Sequence, residues 1–242
     1  MIPVFTSHYS FGKSILTLEL PSKCNPNGSR SIFSILEEHD HEELFLLENS
    51  MTGFPQAVNN AEEQGVQLIY GIQLPFEGGH KINVFSRNSK GCGALSKIYS
   101  ETFAKENCLC DEEILKENWS DKNLILAIPF YDSFIHRNLT TFEACTPNLI
   151  PFSPTFFLQD NGLPFDNLIR ATVEKYTSKN SLKTQEIKSI LYEKKEDVEA
   201  LQTYKCICSR KFGKSSLSKP NLDHFGSNEF CFESFQAKIN QS

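Results

Sequence analysis

Hydrophobic residues in this chain fall into short apolar runs that alternate with segments in which they recur at helical spacing. The strand-like runs lie at residues 2–6, 44–47, 66–70, 82–86, 123–129, 155–159 and 186–192. The helix-like segments lie at residues 31–38, 55–64, 94–105, 112–117, 163–176 and 194–208. Alternation of this kind predicts an α/β fold, either a βα barrel or layers of helices on a sheet.

Local signals add detail to these elements. Gly65 is expected to stop the helix at 55–64, and Asp111 to cap the helix at 112–117. The strand at 66–70 is expected to end at Gly71. The last ~25 residues contain turn-like sequences, so we expect extended segments packed on the body of the protein. With no linker or internal repeat, the sequence predicts a single domain over residues 1–242.

Composition and charge exclude several classes of protein. The chain is 39% hydrophobic and 22% charged, as in ordinary globular proteins. Its net charge is -6 and its basic residues are dispersed, unlike a protein that grips duplex DNA alone. The basic stretch at 205–219 can touch a phosphate backbone, although a solvated turn is the commoner explanation. No apolar run approaches the ~18 residues of a bilayer span, and no export signal is present, so we expect a soluble, cytoplasmic protein.

Cysteines and histidines are the first candidates for metal chemistry. Two Cys-x-Cys sequences are present, at Cys108 and Cys110 and at Cys206 and Cys208. The single intervening residue is fewer than the two to four that usually separate zinc ligands. We therefore expect free thiols. The pair His39 and His41 has a spacing that suits metal ligands on a strand, but four glutamates surround it, which favours a solvated acidic turn. No glycine-rich nucleotide-binding loop is present.

Five stretches, in one order, carry a family resemblance. They are residues 5–10 (FTSHYS), 44–71, 80–98, 123–134 and 189–207. They resemble the N-terminal PHP (polymerase and histidinol phosphatase) domain of bacterial-type DNA polymerase III alpha subunits. In that family a His-x-His pair precedes Ser-x-Tyr-Ser, and later motifs contain Thr-Asp-His and Asn-Asp-Val-His-Tyr. The resemblance implies a distorted (β/α)7 PHP-type barrel with about three metal ions at the carboxyl ends of its strands.

The positions that would bind those metals have changed. Aligned on the surrounding motifs, they hold Val4, Thr6, Leu47, Glu48, Gln73, Ser189 and Leu191. Apolar side chains and a neutral amide cannot replace carboxylate or imidazole ligands. We therefore expect no metal cofactor. The alternative is a rearranged site for Mn, Zn or Fe, whose candidate ligands are His8, Glu48, His80, His39 and His41.

The resemblance implies a function in DNA replication. We expect a non-catalytic PHP-like domain or subunit of a replicative DNA polymerase, which braces the catalytic part, binds a proofreading exonuclease and meets DNA only indirectly. The phenylalanine-rich segment at 225–235 is a candidate docking region. One alternative is an active metal-dependent phosphoesterase or 3′-5′ exonuclease. Another is a stand-alone regulatory protein that binds a host polymerase.

Overall fold

Seven strands close into a barrel in the computed structural model, which describes residues 1–25, 28–141, 144–209 and 226–240. The strands are β1 (Ile2–Phe5), β2 (Glu43–Glu48), β3 (Gln67–Phe76), β4 (His80–Ser86), β5 (Leu124–Ile128), β6 (Thr155–Leu158) and β7 (Lys183–Ile190). They are joined in chain order, with β7 paired to β1. The expectation of an α/β barrel is confirmed.

Strand β4 distorts the barrel because it runs against both of its neighbours. It pairs antiparallel with β3 and β5, whereas the other neighbouring strands pair in parallel. The reversal occurs in a three-residue turn in which Gly78 and Gly79 have φ values of 79° and 73°. Glycine adopts this left-handed conformation without steric cost. The tight turn therefore joins β3 to β4 without a helix.

Helices cover the outside of the barrel. In the described residues they are α1 (Ile32–Glu38), α2 (Phe54–Gln64), α3 (Ser89–Ala104), α4 (Glu112–Asn118), α5 (Phe134–Thr140), α6 (Asp166–Asn180), α7 (Val198–Ser209) and α8 (Phe232–Ile239). Short 3-10 helices lie at Pro21–Lys23, Ile150–Phe152 and Lys195–Asp197. None of the helices in the described parts of the chain combines the length and apolar character that a bilayer span needs.

The hydrophobic residues form layers on both sides of the strands. The inside of the barrel is packed with Val4, Phe85, Ala127, Phe157 and Ile187. A larger cluster lies between the outer face and the helices, and includes Phe5, Ile82 and Val84. Successive strand residues face opposite sides, so Val4 points inward and Phe5 outward. The interior cluster fills the middle of the barrel and leaves one end open.

Several sequence predictions need correction. Strand β3 does not end at Gly71 but continues to Phe76. Helix α3 begins at Ser89, five residues before the predicted start at Ala94. Helix α5 was not predicted at all. Arg210, Lys211 and Lys214 of the basic stretch, and the turn-like residues 218–225, lie outside the described residues.

The C-terminal segment also differs from the expectation. Residues 232–239 form helix α8, not an extended segment. The helix packs on the barrel because Phe232 and Phe235 are buried, and the ring of Phe232 lies 5.9 Å from that of Phe5. Just before the helix, the Leu191 N–H donates to Phe230 O at 2.9 Å. The segment before α8 therefore lies beside the end of β7.

Candidate functional site

A cavity of about 620 Å³ opens at the carboxyl ends of the parallel strands. Barrels of alternating strands and helices carry their active sites at this end, on the loops that follow the strands. The cavity is lined by residues from all seven strands or their ends, among them Thr6, Asn49, Gln73, Asn83 and Gln159. It is the candidate functional site, and we call it the mouth cavity.

The mouth cavity contains most of the positions that the resemblance identifies as metal sites. Its wall includes Val4, Thr6, Leu47, Gln73, Ser189 and Leu191. The hydroxyl of Thr6 is already engaged, since it donates to Leu47 O at 3.1 Å. In the described parts of the chain, no three His, Cys, Asp or Glu side chains lie close enough together to hold a metal ion.

Glu48, the seventh position, faces away from the cavity. Its carboxylate is fully buried and accepts hydrogen bonds from the Ser7 N–H at 2.8 Å and from the Ser10 hydroxyl. Burial raises the pKa of Glu48, and the hydrogen bonds from Ser10 and Ser7 oppose that rise. Both carboxylate oxygens are thus used to tie strand β2 to the loop after β1. Glu48 is a structural residue in this geometry.

Lys13 lies in the wall of the cavity and is held by neighbouring amides. The Lys13 ammonium donates to Asn49 Oδ1 at 3.0 Å and to Gln73 Oε1 at 2.8 Å. Gln73 Nε2 in turn donates to Asn83 Oδ1 at 3.3 Å. Burial, and then the nearby charge of Lys81, lower the pKa of Lys13 to about 8. Two amides, one just after β2 and one within β3, therefore hold the Lys13 ammonium, and Asn83 on β4 supports the second of them.

The rim of the cavity carries further charge. Lys81 Nζ lies 2.6 Å from Asp132 Oδ2, and the Lys81 N–H donates to Asp132 O at 2.8 Å. Burial acts against the charged form of Asp132, but Lys81, together with Lys13 and His136, outweighs it and holds the pKa of this carboxyl below its usual value. Lys205 of α7 also lines the cavity. Among the residues that the structure describes, three lysines and one aspartate contribute formal charges to this lining.

The histidine candidates do not converge. His80 is buried between Phe76 and Phe134, and burial lowers its pKa to about 4. His8 lies against Tyr9, with ring centroids 4.4 Å apart. Neither residue lines the mouth cavity.

His39 lies in an exposed turn among acidic residues, as the sequence predicted, and His41 just after it is half-buried. The ring of His39 lies 4.9 Å from that of Phe232, and its Nδ1 is 2.7 Å from Gln236 Nε2. The ring of His41 lies 5.9 Å from that of Phe235. Both histidines therefore pack on helix α8, away from the mouth cavity. All eight cysteines are free thiols.

Sequence reasoning missed Lys13, Lys81, Asn83 and Asp132. A signal for two of them was present in β4, where residues alternate between the two faces of the strand. Phe85 faces the interior, so Lys81 and Asn83 face it as well. No comparable signal existed for Lys13, which follows the strand-end motif in an irregular loop.

Comparisons with known proteins add little to this description. The chain matches no family model and no curated protein. Among solved structures it is similar to PsfC from Pseudomonas syringae PB-5123, with 10% sequence identity and a TM-score of 0.40. That match covers 76% of this chain and 73% of PsfC. Similarity at this level carries no information about the chemistry of the mouth cavity.

Proposed function

We propose that this chain is a non-catalytic PHP-like module of a replicative DNA polymerase of the polymerase III alpha type. The proposal includes a barrel of the distorted (β/α)7 PHP type. It is supported by the five sequence stretches that resemble that family and by a closed seven-stranded barrel in which one strand is reversed.

One observation carries the proposal. Six of the seven positions assigned to metal ligands by resemblance come from four separate segments of the chain and still line one cavity. This convergence is expected if the alignment on the family's motifs is right. Their side chains are apolar, hydroxyl or amide groups, which are poor ligands for the cations of a phosphoesterase. The arrangement therefore supports the proposal that a hydrolytic site has lost its ligands.

A barrel without a reactive centre can still supply a binding surface. Phe165 and Leu168, at the start of α6, are 61% and 52% exposed. Large exposed apolar side chains that lie close together mark sites of protein interaction. The proposed partners are the catalytic part of the polymerase and its proofreading exonuclease.

Co-purification tests the proposal. The tagged chain is expected to retain the polymerase catalytic chain or the exonuclease of the same organism. The double variant Phe165→Asp, Leu168→Asp is expected to retain less, whereas Phe103→Asp, at an exposed site on α3, serves as the matched control. Association with neither partner would remove the main support for the proposal.

The alternatives make different predictions. A hydrolase with a rearranged metal cluster needs His8, Glu48, His80 and the His39/His41 pair to converge, and in the described residues they lie in separate places. Near-stoichiometric metal together with phosphodiester hydrolysis would establish that alternative. A stand-alone regulatory protein would compete with the polymerase's own PHP domain for the same partner, which a competition pull-down detects.

A further inference from the structure

We propose that the mouth cavity is a metal-independent binding site for a small organic dianion, held by the ammonium groups of Lys13 and Lys81. This inference goes beyond the scaffold function proposed above. It uses only the charges, donors and shape of the cavity, so it is independent of any polymerase partner.

The charge of the cavity is opposite to that of the protein. The chain has a net charge of -6, whereas the described residues that line the cavity include Lys13 and Lys81, with Asp132 paired to Lys81. A concave site lined by one sign of charge concentrates the opposite ion. A ligand with two negative charges offers one to each of the ammonium groups of Lys13 and Lys81.

Lys13 is a partly buried cation, and none of the described carboxylates contacts it. Both of its hydrogen-bond acceptors, Asn49 Oδ1 and Gln73 Oε1, are neutral amide oxygens, and no ion pair to Lys13 is found in the described residues. Cations away from water are normally paired with an anion. An ammonium group has three N–H donors, and the two amides use two of them. The remaining donor is available to an oxyanion.

The burial that lowers the pKa of Lys13 to about 8 has a further consequence. A bound anion favours the charged form of the amine, so binding and protonation of Lys13 are coupled. Affinity is therefore expected to fall as the pH rises above about 8.

The other walls of the cavity suit the organic part of a ligand. Apolar and aromatic side chains complete the lining: Phe11, Pro129, Tyr131, Phe157 and Phe230. The volume of about 620 Å³ lies within the ~300–1,000 Å³ that small-molecule sites occupy. Phosphate monoesters and dicarboxylates are the two sources of a suitable dianion.

Calorimetry in EDTA with four probes tests the inference. The dianion dAMP is expected to bind, and uncharged adenosine is expected not to. Inorganic phosphate and succinate then distinguish the head groups, since the one with the higher affinity identifies the class of ligand. Binding of adenosine as tight as that of dAMP, or no binding of any dianion, would overturn the proposal.

Variants locate the site. Lys13→Met and Lys81→Met are each expected to weaken binding about tenfold, whereas Lys97→Met, on the exposed face of α3, is expected to leave it unchanged. Asp132→Asn has the opposite effect and is expected to tighten binding about threefold, because it removes the carboxylate that competes with the ligand for Lys81. Asparagine also tolerates the φ of 61° at this position.

The Asp132→Asn variant tests the electrostatic basis of the site even if a lysine variant fails to fold. Unchanged or weaker binding in that variant would contradict the electrostatic basis of the site. Loss of binding in EDTA would show that a metal ion, not the lysines, holds the anion. Failure of these tests leaves the co-purification experiment unaffected, so the two proposals can be rejected separately.

Discussion

Replacing Gly71 by alanine is expected to destabilise the barrel. Gly71 on β3 lies opposite Phe85 on β4 in the antiparallel ladder. A Cβ atom at Gly71 would lie 2.4 Å from Phe85 Cδ1 and 2.5 Å from Cε1. Carbon atoms in contact are normally about 3.5–4.0 Å apart, so the ring would have to move by roughly 1 Å. Phe85 is only 3% exposed and belongs to the packed interior cluster, which leaves it little room.

The expected loss is about 1–3 kcal/mol, the usual cost of adding a methyl group to a filled core. For a chain of this length that corresponds to a decrease in Tm of roughly 2–10 °C. Gly93→Ala is the matched control, because a Cβ at Gly93 has no neighbour within 4 Å and the residue is exposed on α3. Alanine in a helix interior is favoured over glycine by about 0.5–1 kcal/mol, so this variant should be slightly stabilised.

Urea unfolding followed by circular dichroism measures both effects. In the Gly71→Ala background, Phe85→Leu is expected to restore part of the loss, since the smaller side chain vacates the space that the methyl group needs. A double-mutant cycle then gives the coupling between the two positions. Wild-type stability of Gly71→Ala, or additive losses in the double variant, would refute this reasoning.

Three further predictions concern single polar groups. Burial lowers the pKa of Lys188 to about 8, below its value of 10.5 in an unfolded chain. Between these pH values the unfolded state therefore binds more protons than the folded state. The free energy of unfolding should rise as the pH goes from about 8 to 10.5. Lys188→Met should abolish that rise. Glu48→Leu leaves two buried donors without an acceptor and should cost about 2–4 kcal/mol in denaturant unfolding, whereas Glu48→Gln should cost less. Asp111→Ala removes the N-cap of α4 and should cost about 1 kcal/mol by the same assay, while Glu113→Ala should cost less than about 0.5 kcal/mol.

The strands could be predicted because each is an apolar run of appropriate length, but their ends could not always be located. Gly71 resembled the end of a strand, yet β3 continues through it because the ring of Phe85 occupies the space beside the glycine. The missed helix α5 had a readable signal, since the Ser133 side chain accepts from the His136 N–H as an N-cap. Helix α8 begins after Cys231 without a side-chain cap, so its start had no local signal.

The candidate site was only half predictable. The positions lining the mouth cavity follow strand ends in recognisable motifs, so the sequence was sufficient to predict that they lie together. Which other side chains join them depends on distant contacts. Lys13 and Gln73 are 60 residues apart in the chain, and His39 and Gln236 are 197 apart. Contacts over such separations are set by the closed barrel and not by local sequence.

The metal content of the purified protein tests most directly the claim that the mouth cavity is a scaffold without cation ligands. The protein would be incubated with Mn, Zn and Fe salts, dialysed, and analysed by mass spectrometry of its elements. We predict far less than one equivalent of each metal, and no hydrolysis of a generic phosphodiester. One or more equivalents of tightly held metal, together with hydrolysis that EDTA abolishes, would contradict the claim.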